Sequence, residues 1–351
     1  MTDYDGGPLQ PSPLRRLGST APRRLVVIVL LVAGTYLLIP RLAGVADTLK
    51  LIRQADGRYL LLALACQIST VVLTASVVYG ALPAFGPRIR FPRVLEIALA
   101  SSFASMFIPS AGLSGLALRA RYFGEAGCSV EAVLLTYVVE TLGQGMAITI
   151  MVALALLWLT VAGQGAPWWI LALLLGTILA GSTFLAILVS RPHEADWRLA
   201  LLDRVIKMLP QQGRRPLQAL ALEERLGNLR QAVLALSTPL RLRLLLASIG
   251  RVLADILCLQ MTLLAFGQAV LLGLTIIGYG LSAVLSYLSS LPGGLFVTEG
   301  SLSAILAKQG VPLALAVAAI LTYRLFAFWL PRVLGLGTWW NLQRHSDRPL
   351  W

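Results

Sequence analysis

The stretch Val130–Val161 reads VEAVLLTYVVETLGQGMAITIMVALALLWLTV. It exceeds the ~20 residues that cross a ~30 Å hydrocarbon core. Its only charges are Glu131 and Glu140. Polar and apolar residues do not alternate along it, which argues against a strand of a membrane barrel. In lipid the backbone groups have to bond within the segment, and that leaves a helix. Leu25–Ile39, Leu60–Leu82, Trp168–Val189, Leu244–Phe266 and Val311–Leu334 are runs of the same kind. The whole 351-residue chain agrees, being 57% hydrophobic and 13% charged. A soluble domain carries about 25% charged residues, so there is too little polar surface here to coat a water-soluble globule. The fold class read from these runs is all-α: a polytopic transmembrane helical bundle of about six full spans.

The first run does not end as a cleaved signal peptide would. A tail of Gly, Pro and Arg precedes it, and Ile39-Pro40-Arg41 is not a small-residue cleavage site. Residues 1–24 are therefore expected to be a disordered cytoplasmic tail, 25–343 the membrane domain and 344–351 a second cytoplasmic tail.

The net charge of +13 fits a positive-inside arrangement better than nucleic-acid binding, which needs basic residues on a soluble face. Basic patches lie at Arg15–Arg24, Arg88–Arg93, Arg119/Arg121, 191–243, and the C-terminal group Arg332, Arg344 and Arg348. Placing all of them inside puts both termini in the cytoplasm of a cell membrane. It makes Val130–Val161 and Trp168–Val189 an out-and-back pair. The segment around Leu95–Gly112 must then enter and leave on one side. It is rich in serine (Ser101, Ser102, Ser105) and turns near Pro109 and Gly112. A re-entrant hairpin fits, since irregular backbone is tolerated where it lines a cavity. Gly278–Leu291 has the same character and ends at Pro292-Gly293-Gly294.

The two regions suggest a repeat. Pro109 lies 18 positions before Gly127, and Pro292 lies 18 before Gly310. Leu135-Thr136-Tyr137 echoes Leu321-Thr322-Tyr323, three positions out of step. The topology gives the halves opposite orientations, as in transporters built from inverted repeats. The plain alternative is that Pro and Gly merely kink two ordinary helices. Within 191–243, Leu222, Leu226, Leu229, Val233 and Leu236 form the stripe of an amphipathic helix. Such a helix suits either the anionic inner leaflet or docking on the bundle.

Chemistry-bearing residues are few. Cys66, Cys128 and Cys258 have no framework spacing, and the two histidines belong to no metal-ligand cluster. No phosphate-loop, dinucleotide or nucleophile-elbow motif is present, so no catalytic residue, metal or cofactor is expected. Charges inside a bilayer are costly and so are functional candidates. Glu140 and Arg324 each lie near mid-span, where they are expected to face one cavity and to pair. Arg251 and Asp255, at i and i+4, are expected to neutralise each other. Glu299, Arg119 and Arg121 follow the two turns, where a lipid headgroup would meet them. A guanidinium suits a lipid phosphate, though plain positive-inside anchoring would also explain the two arginines.

At these residues a resemblance emerges. Leu291-Pro292-Gly293-Gly294-Leu295-Phe296-Val297-Thr298-Glu299-Gly300, with Gly310 and Thr322-Tyr323-Arg324, resembles the C-terminal signature of the lysylphosphatidylglycerol synthase transmembrane-region, or flippase-like, family. Pro109–Arg119, Gly127 and Val139-Glu140 resemble its first signature, except that Leu116 stands where that family often has a glutamate. The resemblance spans roughly residues 20–340. It implies movement of a phospholipid or lipid-linked headgroup between leaflets. With the chain ending at Trp351, no synthase domain is expected. Transport without an ATP motif would be passive or gradient-coupled. The alternative is a non-transporting partner that presents a lipid to a glycosyltransferase or synthase. A lipid-modifying enzyme is the least supported, lacking a nucleophile.

Overall fold

The computed structural model describes residues 54–105, 113–162, 236–289 and 292–344, which contain no strand. The expected spans Leu25–Ile39 and Trp168–Val189, both tails apart from Arg344, the tip Pro109–Gly112 and residues 191–235 lie outside these. In chain order the described helices are α1 (Gly57–Ala81), α2 (Phe91–Ala104), α3 (Leu113–Glu125), α4 (Val130–Val161), α5 (Thr238–Ala265), α6 (Leu272–Leu288), α7 (Val297–Lys308), α8 (Leu313–Arg324) and α9 (Leu330–Arg344). A π-helical turn, Leu325–Trp329, joins α8 to α9.

Among the described residues three helical stretches are long and apolar enough to cross a membrane: Gly57–Ala84, Val130–Val161 and Leu313–Arg344. α5 has 28 residues and so is comparably long. By contrast α2, α3, α6 and α7 have 14, 13, 17 and 12 residues. At ~1.5 Å per residue each is shorter than the ~30 Å core.

Local chemistry sets the ends. The Asp56 carboxylate accepts from the Arg58 N–H at 2.9 Å and caps α1. Ser129 accepts from the Ala132 N–H at 3.1 Å and starts α4 where the apolar run begins. α5 begins six residues earlier than the apolar run starting at Leu244. Pro239 occupies its first turn, and Arg241 and Arg243 are exposed there. Residues 238–243 are thus part of α5, not of a separate amphipathic helix. Gly127 and Gly310 end α3 and α7 with φ of 83° and 88°. In each case the next residue's N–H bonds five residues back, Cys128 to Phe123 at 2.9 Å and Val311 to Leu306 at 3.1 Å.

α1 and α5 form the central antiparallel pair. The Asp56 N–H donates to the Ala265 carbonyl at 2.9 Å at one end, and Gly80 faces Leu244 at the other. In lipid such contacts rest on close packing by small residues, and Ala63, Ala75 and Ala81 are fully buried. Hydroxyls of Thr70, Thr74 and Ser76 bond to carbonyls four residues back at 2.7–3.1 Å, so these polar groups need no outside partner.

The short helices pack as two antiparallel hairpins. In α6–α7, Ser286 meets Thr298 at 2.7 Å and Ser301 donates to Ser282 at 3.0 Å. In α2–α3, Gly115 lies against the Ser101 carbonyl. The serines noted in the sequence thus form helix seams. Two further antiparallel contacts link distant parts of the chain. α9 runs along α2, with the Ser102 hydroxyl donating to the Pro331 carbonyl at 3.5 Å and Gly335 against the Leu99 carbonyl. α6 runs along α4, with Gly273 against Trp158 and Gly280 against Val152.

Candidate functional site

Each hairpin is tied to the long helix that follows it by a buried ion pair. On α3, Arg119 donates from Nη1 to Glu140 of α4, and from Nε to the Ser101 hydroxyl at 3.0 Å. Glu140 also faces Arg251 of α5, 3.7 Å away. On α7, Glu299 accepts from Arg324 Nε of α8 at 2.7 Å. Arg324 Nη2 donates to the Gly293 carbonyl at 3.1 Å and so holds the hairpin turn. The order is basic-then-acidic in the first case and acidic-then-basic in the second. Hydrogen-bonded pairing of this kind is what makes buried charge tolerable.

Between the two pairs lies a cavity of about 220 Å³. α1 contributes Gln67 and Thr70, and α4 contributes Gln144. Arg251 and Asp255 come from α5, Tyr279 from α6 and Arg332 from α9. Gln144, Arg251, Thr70 and Tyr279 all sit close to the middle of their helices. In the three long helices that is roughly 16–26 Å from either end. Asp255 is held on both oxygens, by Tyr279 Oη at 2.7 Å and Tyr323 Oη at 3.3 Å. Arg332 stacks on Phe328, with its guanidinium carbon 3.5 Å from the ring centroid. Arg324 stacks on the same ring at 4.2 Å. Arg332 Nη1 donates to the Phe328 carbonyl at 2.7 Å.

The structure corrects two expected pairings. Glu140 and Arg324 do not pair with each other. Each is closed by a partner from its own hairpin, and neither lines the cavity. Arg251 and Asp255 do not neutralise each other directly, because two tyrosines occupy the carboxylate and Arg251 turns to Glu140. Both nevertheless line the cavity. Arg119 and Glu299, expected to meet a headgroup beyond the turns, are buried in ion pairs. Arg121 is more than half exposed and reaches Glu125 at 3.4 Å. Pro292, Gly293 and Gly294 form the second turn, and Gly293 has φ 61°. Pro109 and Gly112 fall outside the described residues. Sequence reasoning missed Arg332, Gln67 and Gln144. Their signal was present as strong hydrogen-bonding groups interrupting otherwise apolar runs. No cluster among the described residues could hold a metal ion.

The two signatures thus lie on the two hairpins and the helices they are bonded to. The family model described as the lysylphosphatidylglycerol synthase TM region matches residues 24–335. The chain belongs to this family. It is accordingly a membrane protein, as the resemblance implied. It is also similar to the UPF0104 membrane protein PH1989 of Pyrococcus horikoshii. The two are 26% identical over 311 residues, covering 84% of this chain and 90% of the relative. In this member of the family the charged signature residues serve as buried ties around the cavity, and the groups facing the cavity come mostly from outside the signatures.

Proposed function

We propose that this protein is a lipid transporter that lets a headgroup pass between leaflets through the mid-helix cavity while the acyl chains stay in lipid. The observation that carries this reading is the cavity itself. Two arginines, an aspartate and two glutamine side chains line it at the depth of the bilayer centre, where ionisable groups are costly and rarely kept without a task. Its volume is below the usual 300–1,000 Å³ of a drug-sized site, which suits a headgroup rather than a whole lipid. The lipid class, a phospholipid or lipid-linked species, follows the family. The protein works without a catalytic residue or cofactor.

An inverted repeat underlies the mechanism. α1–α4 corresponds to α5–α9. The equivalent helices α1 and α5 run antiparallel, and the α2–α9 contact is matched by that of α4 with α6. The left-handed glycines Gly127 and Gly310 end equivalent helices. The short helices are re-entrant, entering from opposite faces. Both termini are cytoplasmic, and the membrane is the cell membrane. Alternating access would rock one half against the other around the cavity.

Reconstitution into vesicles carrying fluorescent phospholipids tests the reading. Exchange between leaflets above that of empty vesicles, reduced by Asp255→Asn, is the expected result. Exchange equal to empty vesicles for every headgroup tried removes the transport reading. Lipid retained by the purified protein without exchange would instead favour the partner that presents a lipid to a synthase or glycosyltransferase.

A further inference from the structure

The charges around the cavity do not balance. Arg119, Arg251, Arg324 and Arg332 face Glu140, Asp255 and Glu299, so one positive charge is left over among the described residues. The surplus falls on Arg332. Glu140 is shared by Arg119 and Arg251, and Glu299 is taken by Arg324. Both oxygens of Asp255 accept from tyrosines. No carboxylate among the described residues lies within 4 Å of Arg332, and its Nε is buried without an acceptor. Its position worsens the imbalance, because Arg324 lies on the other contact to the Phe328 ring and adds a second cation. A buried guanidinium with an idle N–H is expensive unless an anion meets it. The amide oxygen of Gln67, which lines the same cavity from α1, is also buried without a donor.

We infer that Arg332, with Arg251 across the cavity, binds the phosphate of a lipid headgroup, and that Gln67 takes a hydroxyl or ammonium donor beside it. This rests on the proposed lipid-handling function and names the group that the cavity recognises. A guanidinium fork matches two phosphate oxygens, and Arg holds its charge at any physiological pH. The cavity's volume equals about seven waters at ~30 Å³ each, which accommodates a phosphate with a small polar substituent. The seat of Arg332 is built from behind the cavity: its guanidinium stacks on Phe328, whose ring is in turn held by Gly293 of the hairpin turn and by Arg324.

The test is thermal unfolding of the delipidated full chain in nonionic detergent, titrated with dihexanoyl phosphatidylglycerol, inorganic phosphate or the phosphate-free dihexanoylglycerol. Dihexanoyl phosphatidylglycerol should raise the unfolding temperature and dihexanoylglycerol should not. Arg332→Gln should need roughly ten- to hundredfold more of the phospholipid. Arg332→Lys should fall between, since it keeps the charge but loses the fork. Arg241→Gln, at the exposed start of α5, should match the unaltered protein. If Arg332→Gln fails to fold, judged by circular dichroism and gel filtration, the lysine variant carries the comparison. An Arg332-dependent shift by inorganic phosphate at the same concentrations also supports the site and makes free phosphate its source. The inference is overturned if no phosphate compound shifts the unaltered protein. It is equally overturned if dihexanoylglycerol works as well, or if both Arg332 variants respond like the unaltered protein. Leaflet exchange is read separately. Exchange that persists while binding ignores Arg332 sinks this inference alone. Arg332-dependent binding without exchange sinks only the transport reading.

Discussion

Removing one partner of the Glu299–Arg324 pair should destabilise the protein far more than removing both. The side chains are only 3% and 8% exposed, so solvent screens their charges little. Deleting a single partner of a buried ion pair costs about 3–5 kcal/mol, because the other charge stays behind unpaired. Glu299→Gln should lie at the upper end of that range. It strands Arg324 on Phe328 with Arg332 on the same ring. Arg324→Met strands a carboxylate whose second oxygen already lacks a partner, and it frees the Gly293 carbonyl as well. The double variant Glu299→Gln/Arg324→Met removes both charges and should cost no more than about 2 kcal/mol. The coupling between the two sites is then about 4 kcal/mol or more, close to a thousandfold in the unfolding equilibrium. The pair Arg121–Glu125 is the control. With side chains 58% and 25% exposed and a 3.4 Å contact, its coupling should stay below about 0.5 kcal/mol. Denaturant unfolding in detergent–lipid micelles, followed by tryptophan fluorescence, measures both cycles. A Glu299–Arg324 coupling under about 1 kcal/mol, or Glu299→Gln within 0.5 kcal/mol of the unaltered protein, would refute the reasoning.

Glu140→Gln should destabilise more than Glu299→Gln in the same assay, since it leaves two arginines, Arg119 and Arg251, without their shared carboxylate. Gly335→Ala should cost about 1–3 kcal/mol, because its methyl would collide with the Leu99 carbonyl and prise α9 from α2. Gly337→Ala on the same helix meets nothing within 4 Å and should be neutral or stabilise by up to about 1 kcal/mol. Gly293→Ala should cost about 1–3 kcal/mol, its backbone being left-handed at φ 61° with Phe328 in the path of a side chain. Thermal melts of the purified variants rank all four.

The helices were legible because lipid admits few alternatives. Val130–Val161 was read as one segment and is one helix, since apolar length alone sets it and Ser129 supplies the start. Glu140 and Arg324 stood out because charge is rare in such runs. Their partners did not, because each tie crosses a turn, over 21 residues in one case and 25 in the other. Sequence spacing carries no geometry across a hairpin. The i, i+4 spacing of Arg251 and Asp255 misled for a related reason. Local proximity permits a contact, but Glu140, Tyr279 and Tyr323 arrive from other helices and offer better ones. Arg332 was grouped with Arg344 and Arg348 as a cytoplasmic anchor. Only the docking of α9 on α2 places it on the wall of a cavity that α1 and α5 also line.

The π-helical turn Leu325–Trp329 has a consequence for how the last helix is phased. Such a turn holds one residue more than the α-helix it interrupts, and each residue rotates a helix by about 100°. The extra residue therefore acts as a phase shifter between α8, which carries the Glu299 tie, and α9, which carries Arg332 and the Gly335 contact. Losing one residue there would leave α8 docked while turning α9 by about 100°. Arg332 and the smooth stripe that fits α2 would then swing toward the acyl chains. The orientation of half a span, and with it the cation on the cavity wall, is governed by a single insertion.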